Sequence, residues 1–428
     1  MGIQINGQTD TITATDGSLS IQGASGNLTG DLTRNVTGNL TGTASTATAA
    51  ATAYGLSGSP TLSGITSVST TNLTVNGNSY PSAGPLSNRN LIINGAMQVA
   101  QRGTSSTSQG YQTVDRFTSY FVGVSITQSQ QSLTSGDPYN DGFRYFLRVA
   151  NTATSSATNA YVQVDQPIEA QNIAQSGWDY ISSTSYITCS FWARSSLSGT
   201  YYVQYRATDT SSEQINKSFT LTANTWKKVT HTIPGNSSVI INNDNGLGFQ
   251  ITVTPHYATD YTDSSVPINS WYTRTSSTFL PDYSQNWANT SSATFDLTGI
   301  QLEVGTVATP FEHRSFGEEL ERCKRYFETT YPYGTAPGSV YETAPTSYIS
   351  RTNLYRTFDR FTVQKRATPT VVIYSTTTGA ADKIRNVSND TDVTAVTDNH
   401  SPVGARIGSN SGGDGDLLRW HWTASAEL

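Results

Sequence analysis

The residues best suited to chemistry are aromatic. Between His256 and Trp287 the chain carries Tyr257, Tyr261, Trp271, Tyr272, Tyr283 and Trp287 in an irregular stretch with few strand signals. Rigid rings on loops supply contact area at small entropic cost. The apolar C–H faces of a sugar can stack on such rings while Asn and Ser side chains bond its hydroxyls. Tyr257, Trp271, Tyr272, Tyr283 and Trp287 are therefore the candidates for glycan binding. The competing reading is that these rings cover the loop or pack at an oligomer contact. Trp178, Trp192 and Trp226 lie in or beside expected strands and are assigned to the core.

Catalytic and metal chemistry find little support. The five histidines (His231, His256, His313, His400 and His421) are scattered, with no metal-ligand spacing such as H-E-x-x-H, and no glycine-rich phosphate loop follows a strand. Glu318, Glu319 and Glu321 resemble paired glycosidase carboxylates. Helical pairing of Glu318 with Arg322 and of Glu321 with Arg325 accounts for them more simply. We expect no enzyme, no catalytic residue, no metal and no cofactor. Cys189 and Cys323 are read as buried free thiols, because two cysteines make no disulfide framework and cysteine behaves as a small hydrophobe.

The 428-residue chain has a net charge of −6, which argues against a nucleic-acid partner that would need a basic stripe. A neutral glycan or a protein partner is compatible with it. Only 13% of residues are charged, well below the quarter or so usual for an intracellular enzyme. The segment MGIQINGQTD lacks a basic region and an apolar core, so no signal peptide is expected, and no apolar run approaches bilayer length.

The elements that position these residues read as all-β. Residues 1–85 form an attachment-type segment in which Ile3 and Ile5 sit among turn signals. Leu28, Leu32, Val36 and Leu40 then recur every fourth residue in units such as Asn27-Leu-Thr-Gly. An extended chain puts all four on one face. One chain with so thin an apolar stripe cannot offset its ordering entropy, whereas three wound together can bury it. A homotrimeric fibrous β shaft follows. Residues 86–314 read as an antiparallel β-sandwich: Ile187, Cys189, Phe191 and Ala193 alternate with polar neighbours, and Tyr201, Val203 and Tyr205 alternate with Tyr202, Gln204 and Arg206. Residues 315–330 form a connecting helix opened by a capping box from Ser315 to Glu318. Residues 331–428 form a second, sandwich-like β tip, with Gly408–Asp416 as a long hairpin loop.

Several stretches also resemble a known family. Gln301–Glu328 (QLEVGTVATPFEHRSFGEELERCKRYFE) is similar to a "QLE-G-ATPFE-R-ELE-C-RYY" pattern found in structural proteins of tailed bacteriophages, chiefly tail fibres. NLIINGAMQ at Asn90–Gln98, then Gln101-Arg102-Gly103 and Val114-Asp115-Arg116-Phe117, resembles the opening of that module. Ile187–Ala193 is similar to its central strand, and Trp422–Leu428 to a common fibre C-terminus. The resemblance implies a jelly-roll module, usually trimeric, in a virion appendage made in the host cytoplasm. Residues 1–85 would bind phage tail or head proteins, and the remainder a host surface glycan or receptor. The rivals are a structural head fibre or capsid decoration protein and, last, a glycan-degrading tailspike. The module also resembles calcium-containing carbohydrate-binding jelly rolls, but Met97 and Gln98 stand where an acidic ligand is expected. Asp296 alone makes a weak site, so no calcium is expected.

Overall fold

Side-chain alternation decides which side of each strand meets the core. In the computed structural model Tyr201, Val203 and Tyr205 are fully buried, while Tyr202, Gln204 and Arg206 project from the opposite face of the same strand. The structure describes residues 88–209, 212–274, 277–344 and 355–428, with the backbone of the strands Leu73–Val75, Asn78–Tyr80 and Thr346–Tyr348. Ile3, Ile5, Leu28, Leu32, Val36 and Leu40 lie outside the described residues. The trimeric shaft expected of residues 1–85 does too, apart from the antiparallel pair Leu73–Val75 and Asn78–Tyr80.

Two six-stranded antiparallel sheets make the sandwich. The first runs Trp271–Thr273, Glu213–Leu221, Gly199–Ala207, Leu247–Tyr257, Tyr161–Glu169 and Thr118–Val122. The second runs Lys227–Pro234, Tyr186–Ser195, Thr294–Val304, Tyr145–Ala153, Ser125–Ser132 and Ser105–Ser106. Their inner faces meet through Val162, Val164, Phe249 and Ile251 on one side and Ile187, Phe191, Phe295 and Leu297 on the other. Cys189 lies in this core and Cys323 is on the buried face of the helix, both as free thiols.

The C-terminal β region is a curled eight-stranded sheet organised on Leu417–Ser425, which pairs with Phe327–Thr329, Thr346–Tyr348, Thr370–Ser375 and Lys383–Asn386. Leu418, Trp420 and Trp422 share one buried face, as their spacing predicts. Gly408–Asp416 is not a hairpin loop. Gly404–Ser409 pairs with Thr391–Ser401 and Tyr355–Arg360 instead, so the loop joins strands that are not neighbours.

The helix is shorter than expected, spanning Phe316–Lys324, because the aromatic and β-branched run Phe327–Thr329 pairs as a strand. Ser315 caps it by accepting the backbone N–H of Glu318 at 3.2 Å. The Glu318 carboxylate goes to Arg322, at 3.1 Å. Arg325 leaves the helix surface altogether to grip Glu169 at 2.7 and 2.8 Å, in place of the expected pairing with Glu321.

Of the stretches that carry the family resemblance, Ile187–Ala193 stays inside the sandwich, while Asn90–Phe117, Gln301–Glu328 and the chain's last residues meet along a buried seam between the sandwich and the C-terminal sheet. Asn94 donates through Nδ2 to the carbonyls of Val99 and Asp115, and its backbone N–H donates to Glu319. Gly95 follows because a Cβ there would sit 2.0 Å from the Ile300 carbonyl oxygen. Asp115 accepts from the backbone and side chain of Gln101, whose Nε2 also donates to the Phe327 carbonyl. Arg116, 1% exposed, stacks 3.5 Å from the Tyr326 ring centre, donates to the Pro167 carbonyl at 2.8 Å and pairs with Glu427. Arg102 reaches the same Glu427 at 3.0 Å while lying over Phe327. Gln301 and Glu303 hold Thr309 and the backbone of Glu312 in the same manner.

Removing Arg116 leaves the buried Glu427 carboxylate to Arg102 alone and takes a donor from the Pro167 carbonyl. Arg116→Ala is therefore expected to cost about 3–5 kcal/mol. The surface variant Arg322→Ala should cost less than about 1 kcal/mol. Urea unfolding of the full chain distinguishes them, and equal midpoints would contradict the assignment.

Candidate functional site

The outer face of the first sheet can be read from its register. Thr118, Asp165, Thr252, Gln204 and Asn216 stand opposite one another across five strands. The adjacent row is Pro167, Gln250, Arg206, Gln214 and Tyr272. An amide- and hydroxyl-rich ladder of this kind bonds sugar hydroxyls well, because each amide both donates and accepts.

The chain after Tyr257 folds back over part of this face. The Phe279 carbonyl accepts from Gln214 (3.2 Å), Asn216 (3.0 Å) and the Tyr272 hydroxyl (3.1 Å). Tyr283 donates to Thr254 Oγ1 at 2.7 Å, and Tyr202 donates to the Asp282 carbonyl at 3.1 Å. What stays open is a cleft of about 300 Å³. Its floor is Gln163, Gln204, Arg206 and Thr252, and its walls are Tyr161, Tyr257, Tyr261, Phe279 and Arg274. Tyr161, Tyr257 and Tyr261 form a triangle with ring centres 5.4–5.8 Å apart. Tyr261 stacks on Phe279, and the Arg274 guanidinium lies 3.3 Å above that ring. A second cleft of about 470 Å³ adjoins the Tyr257 side, lined by Ser155–Thr158, His256, Asp282 and Tyr283.

The polar floor is held from beneath. Tyr257 donates to Gln163 Oε1, whose Nε2 donates to Asp165 Oδ2 at 2.7 Å, and Thr252 donates to Asp165 Oδ1 at 2.6 Å. Burial raises the Asp165 carboxyl above its ordinary range, against the pull of those hydrogen bonds and of Arg206. Burial likewise pushes the Tyr257 hydroxyl far up, so it remains a donor. Arg274 is lowered by burial and by the like charge of Arg206. The cleft presents oriented donors and aromatic faces, which is the chemistry of recognition.

The candidate residues separate on inspection. Tyr257 lines both clefts, 6% exposed, and Tyr283 lines the second. Tyr272 is held behind the covering loop by Gln214 and Asn216. Trp271 sits on the sheet's edge strand, packs against the core and donates to the Pro234 carbonyl at 2.8 Å. Trp287 is fully buried in the sandwich core and offers no surface to a ligand. Trp178 and Trp192 are buried as expected, and Trp226 is half-buried against Phe146. Asp296 is already held by Arg148 (2.7 and 2.9 Å) and Arg194 (2.8 Å). Among the described residues no group of three or more His, Cys, Asp or Glu is placed to hold a metal.

Tyr161, Gln163, Gln204, Arg206, Thr252, Arg274 and Phe279 are the lining residues that aromatic density alone overlooks. The alternation at Tyr201–Arg206 put Gln204 and Arg206 on an outer face, and that was the available signal. Which outer face the loop leaves open depends on contacts made more than fifty residues apart, such as Asn216 to Phe279.

No family model matches the sequence, and no curated protein matches it. Among solved structures it is similar to the enzymatically active domain of tailspike protein 4 of bacteriophage CBA120. That match has 10% identity and a TM-score of 0.28, and covers 50% of this chain and 21% of that one. It is also similar to the family 11 carbohydrate-binding module of Clostridium thermocellum, at 14% identity and TM-score 0.24, covering 49% of this chain and 99% of the module. A cyclase from Fischerella sp. is similar at 10% identity and TM-score 0.30, covering 53% and 98%. The chain thus spans about a fifth of the tailspike domain's length. Likeness at this level carries no function across.

Burial lowers His231 and His256 to about 4, with Lys217 adding to the effect at His231. A depressed histidine stays neutral when folded and takes a proton only on unfolding. Each therefore contributes stability above about pH 6.5 that is lost as pH falls toward 4. Burial raises Asp115 to about 6, which works the other way: its penalty is relieved as pH falls from 6 to 4. The two histidines should cost the wild-type chain stability between pH 6.5 and 4. His256→Asn should lose less over that interval, by roughly 1–3 kcal/mol. Urea unfolding at the two pH values reads the difference, and parallel losses would contradict the burial of neutral His256.

Proposed function

We propose that the chain is a receptor-binding appendage of a bacteriophage particle that holds a host surface glycan without turning it over. The observation that carries this reading is the cleft on the first sheet. Aromatic walls flank a floor of amides and hydroxyls whose geometry is fixed by Asp165 underneath. Neither the cleft nor its neighbour is lined by two carboxylates, the pair a glycosidase uses, which supports binding rather than hydrolysis. The family resemblance supports a tail fibre located in the virion. Residues 1–85 would be the attachment to tail or head proteins and the trimeric shaft. Three copies per fibre and several fibres per particle raise a modest single-site affinity into firm adsorption.

The decisive experiment is binding of the full chain to candidate host cells and to their purified surface polysaccharide, with the variant Tyr161→Ala/Tyr261→Ala alongside. Both rings are partly exposed and outside the buried seam, so the variant should fold. Cell binding is expected to fall by about ten-fold or more per site, on the order of 1.4 kcal/mol. Unchanged binding would reject the cleft. Absence of binding to every host would favour a head fibre or capsid decoration protein. Release of oligosaccharides from the polysaccharide would return the tailspike reading. Light scattering should give a mass near three times 46.0 kDa. A stable monomer would remove the trimer.

A further inference from the structure

The donors in the cleft outnumber the acceptors that the protein supplies. Arg206 and Arg274 both line it, Arg206 close enough that its charge lowers Arg274, and neither forms an ion pair among the described residues. The one carboxylate nearby, Asp165, lies beneath the floor and has both oxygens occupied by Thr252 and Gln163. Nε of Arg206 and Nε2 of Gln204 are buried without a hydrogen-bond partner, and Gln204 is only 1% exposed. Buried donors left unpaired are costly, and a ligand that pairs these two would recover that cost. Two guanidinium groups without an ion pair of their own add the same demand in charge.

Resting on the glycan-binding reading above, we propose that this cleft selects an acidic sugar. The pyranose bears an anionic group that takes the unpaired N–H donors of Arg206 and Gln204 and the charge of Arg274, with its ring against Tyr161 and Tyr261. A guanidinium matches a carboxylate or a phosphate with two parallel hydrogen bonds, which a neutral hydroxymethyl group cannot reproduce. The anion also relieves the repulsion between Arg206 and Arg274, so its binding is favoured by a cost the free protein already bears. Arg274 is braced over Phe279 at 3.3 Å, which limits what its ordering costs on binding. The net charge of −6 does not oppose this, because screening confines the effect of distant charges to about 10 Å.

The test uses the full chain and methyl pyranosides of the gluco, galacto and manno series, each as neutral sugar, uronate and 6-phosphate, titrated by NMR. In at least one series an anionic form should bind about ten-fold or more tightly than its neutral counterpart. The uronate and phosphate arms identify which anion is meant. The preference should weaken with added salt, and Arg206→Gln or Arg274→Gln should each bring the ratio of anionic to neutral binding close to one. Neutral sugars binding as well as the anionic ones would overturn the inference and leave the glycan-binding reading standing. Binding of no form in any series would overturn both. An anionic preference that survives both substitutions would place the acid site elsewhere and overturn the assignment to this cleft.

Discussion

The described sandwich and C-terminal sheet are joined by the buried pairing of Arg116 and Arg102 with Glu427. Two guanidinium groups and one carboxylate, each nearly removed from water, meet where the sandwich touches the last residues of the chain. Desolvating such charges costs several kcal/mol per ion, so the arrangement is tolerable only if every group is also hydrogen-bonded or stacked. Arg116 meets that condition with Tyr326 and the Pro167 carbonyl, and Arg102 with Phe327. Arg116 holds a φ of 69°, a backbone conformation that non-glycine residues avoid and that its three partners must hold in place.

The same seam positions the cleft. Pro167 and Glu169, the two residues gripped by Arg116 and Arg325, end the strand that begins at Tyr161 and carries Gln163 and Asp165. One end of that strand is fixed by charge at the seam, and the other supplies a wall, one member of the floor and the carboxylate beneath it. A strand held at one end by ion pairs and along its length by the paired strands Thr118–Val122 and Leu247–Tyr257 has little freedom to reshape when a ligand arrives. The cleft is thereby preorganised, so less of the contact energy is spent on ordering side chains.

The sequence revealed the fold more fully than the site, for a physical reason. Alternation at Ile187–Ala193 and Tyr201–Arg206, the cap at Ser315 and the apolar face of Leu418, Trp420 and Trp422 are local patterns, and local geometry obeys them. Gly408–Asp416 misled because turn residues mark a change of direction without saying which strand comes next. Trp287 misled for a related reason: its neighbours look like loop, yet the loop dips so that the indole fills the core beside Asn151, which accepts this duty by bonding the carbonyls of Trp287 and Ala288. Aromatic density located the covering loop correctly, but the surface it leaves open belongs to polar residues of strands far away in sequence. Gln204 and Arg206 were visible as outward-facing and still carried no sign that they would be roofed on one side only.

The residues behind the family resemblance and the residues of the cleft do different work and hardly overlap. Asn94, Gly95, Gln101, Asp115, Arg116, Gln301 and Glu303 are buried in or beside the seam and make bonds whose loss leaves charges or carbonyls stranded. Tyr161, Gln163, Arg206, Tyr261 and Arg274 stand on the far face, partly open, where a changed side chain meets solvent rather than a packed neighbour. Substitution in the first group acts on folding; substitution in the second acts on the open cleft. Asp165 and Gln204 lie between the two, buried yet aimed at the floor, so a change there alters the presentation of the cleft and the packing of the sheet together. A scaffold divided in this way can exchange one ligand for another through the outer ladder of amides, hydroxyls and guanidiniums while the seam that fixes its strands stays untouched.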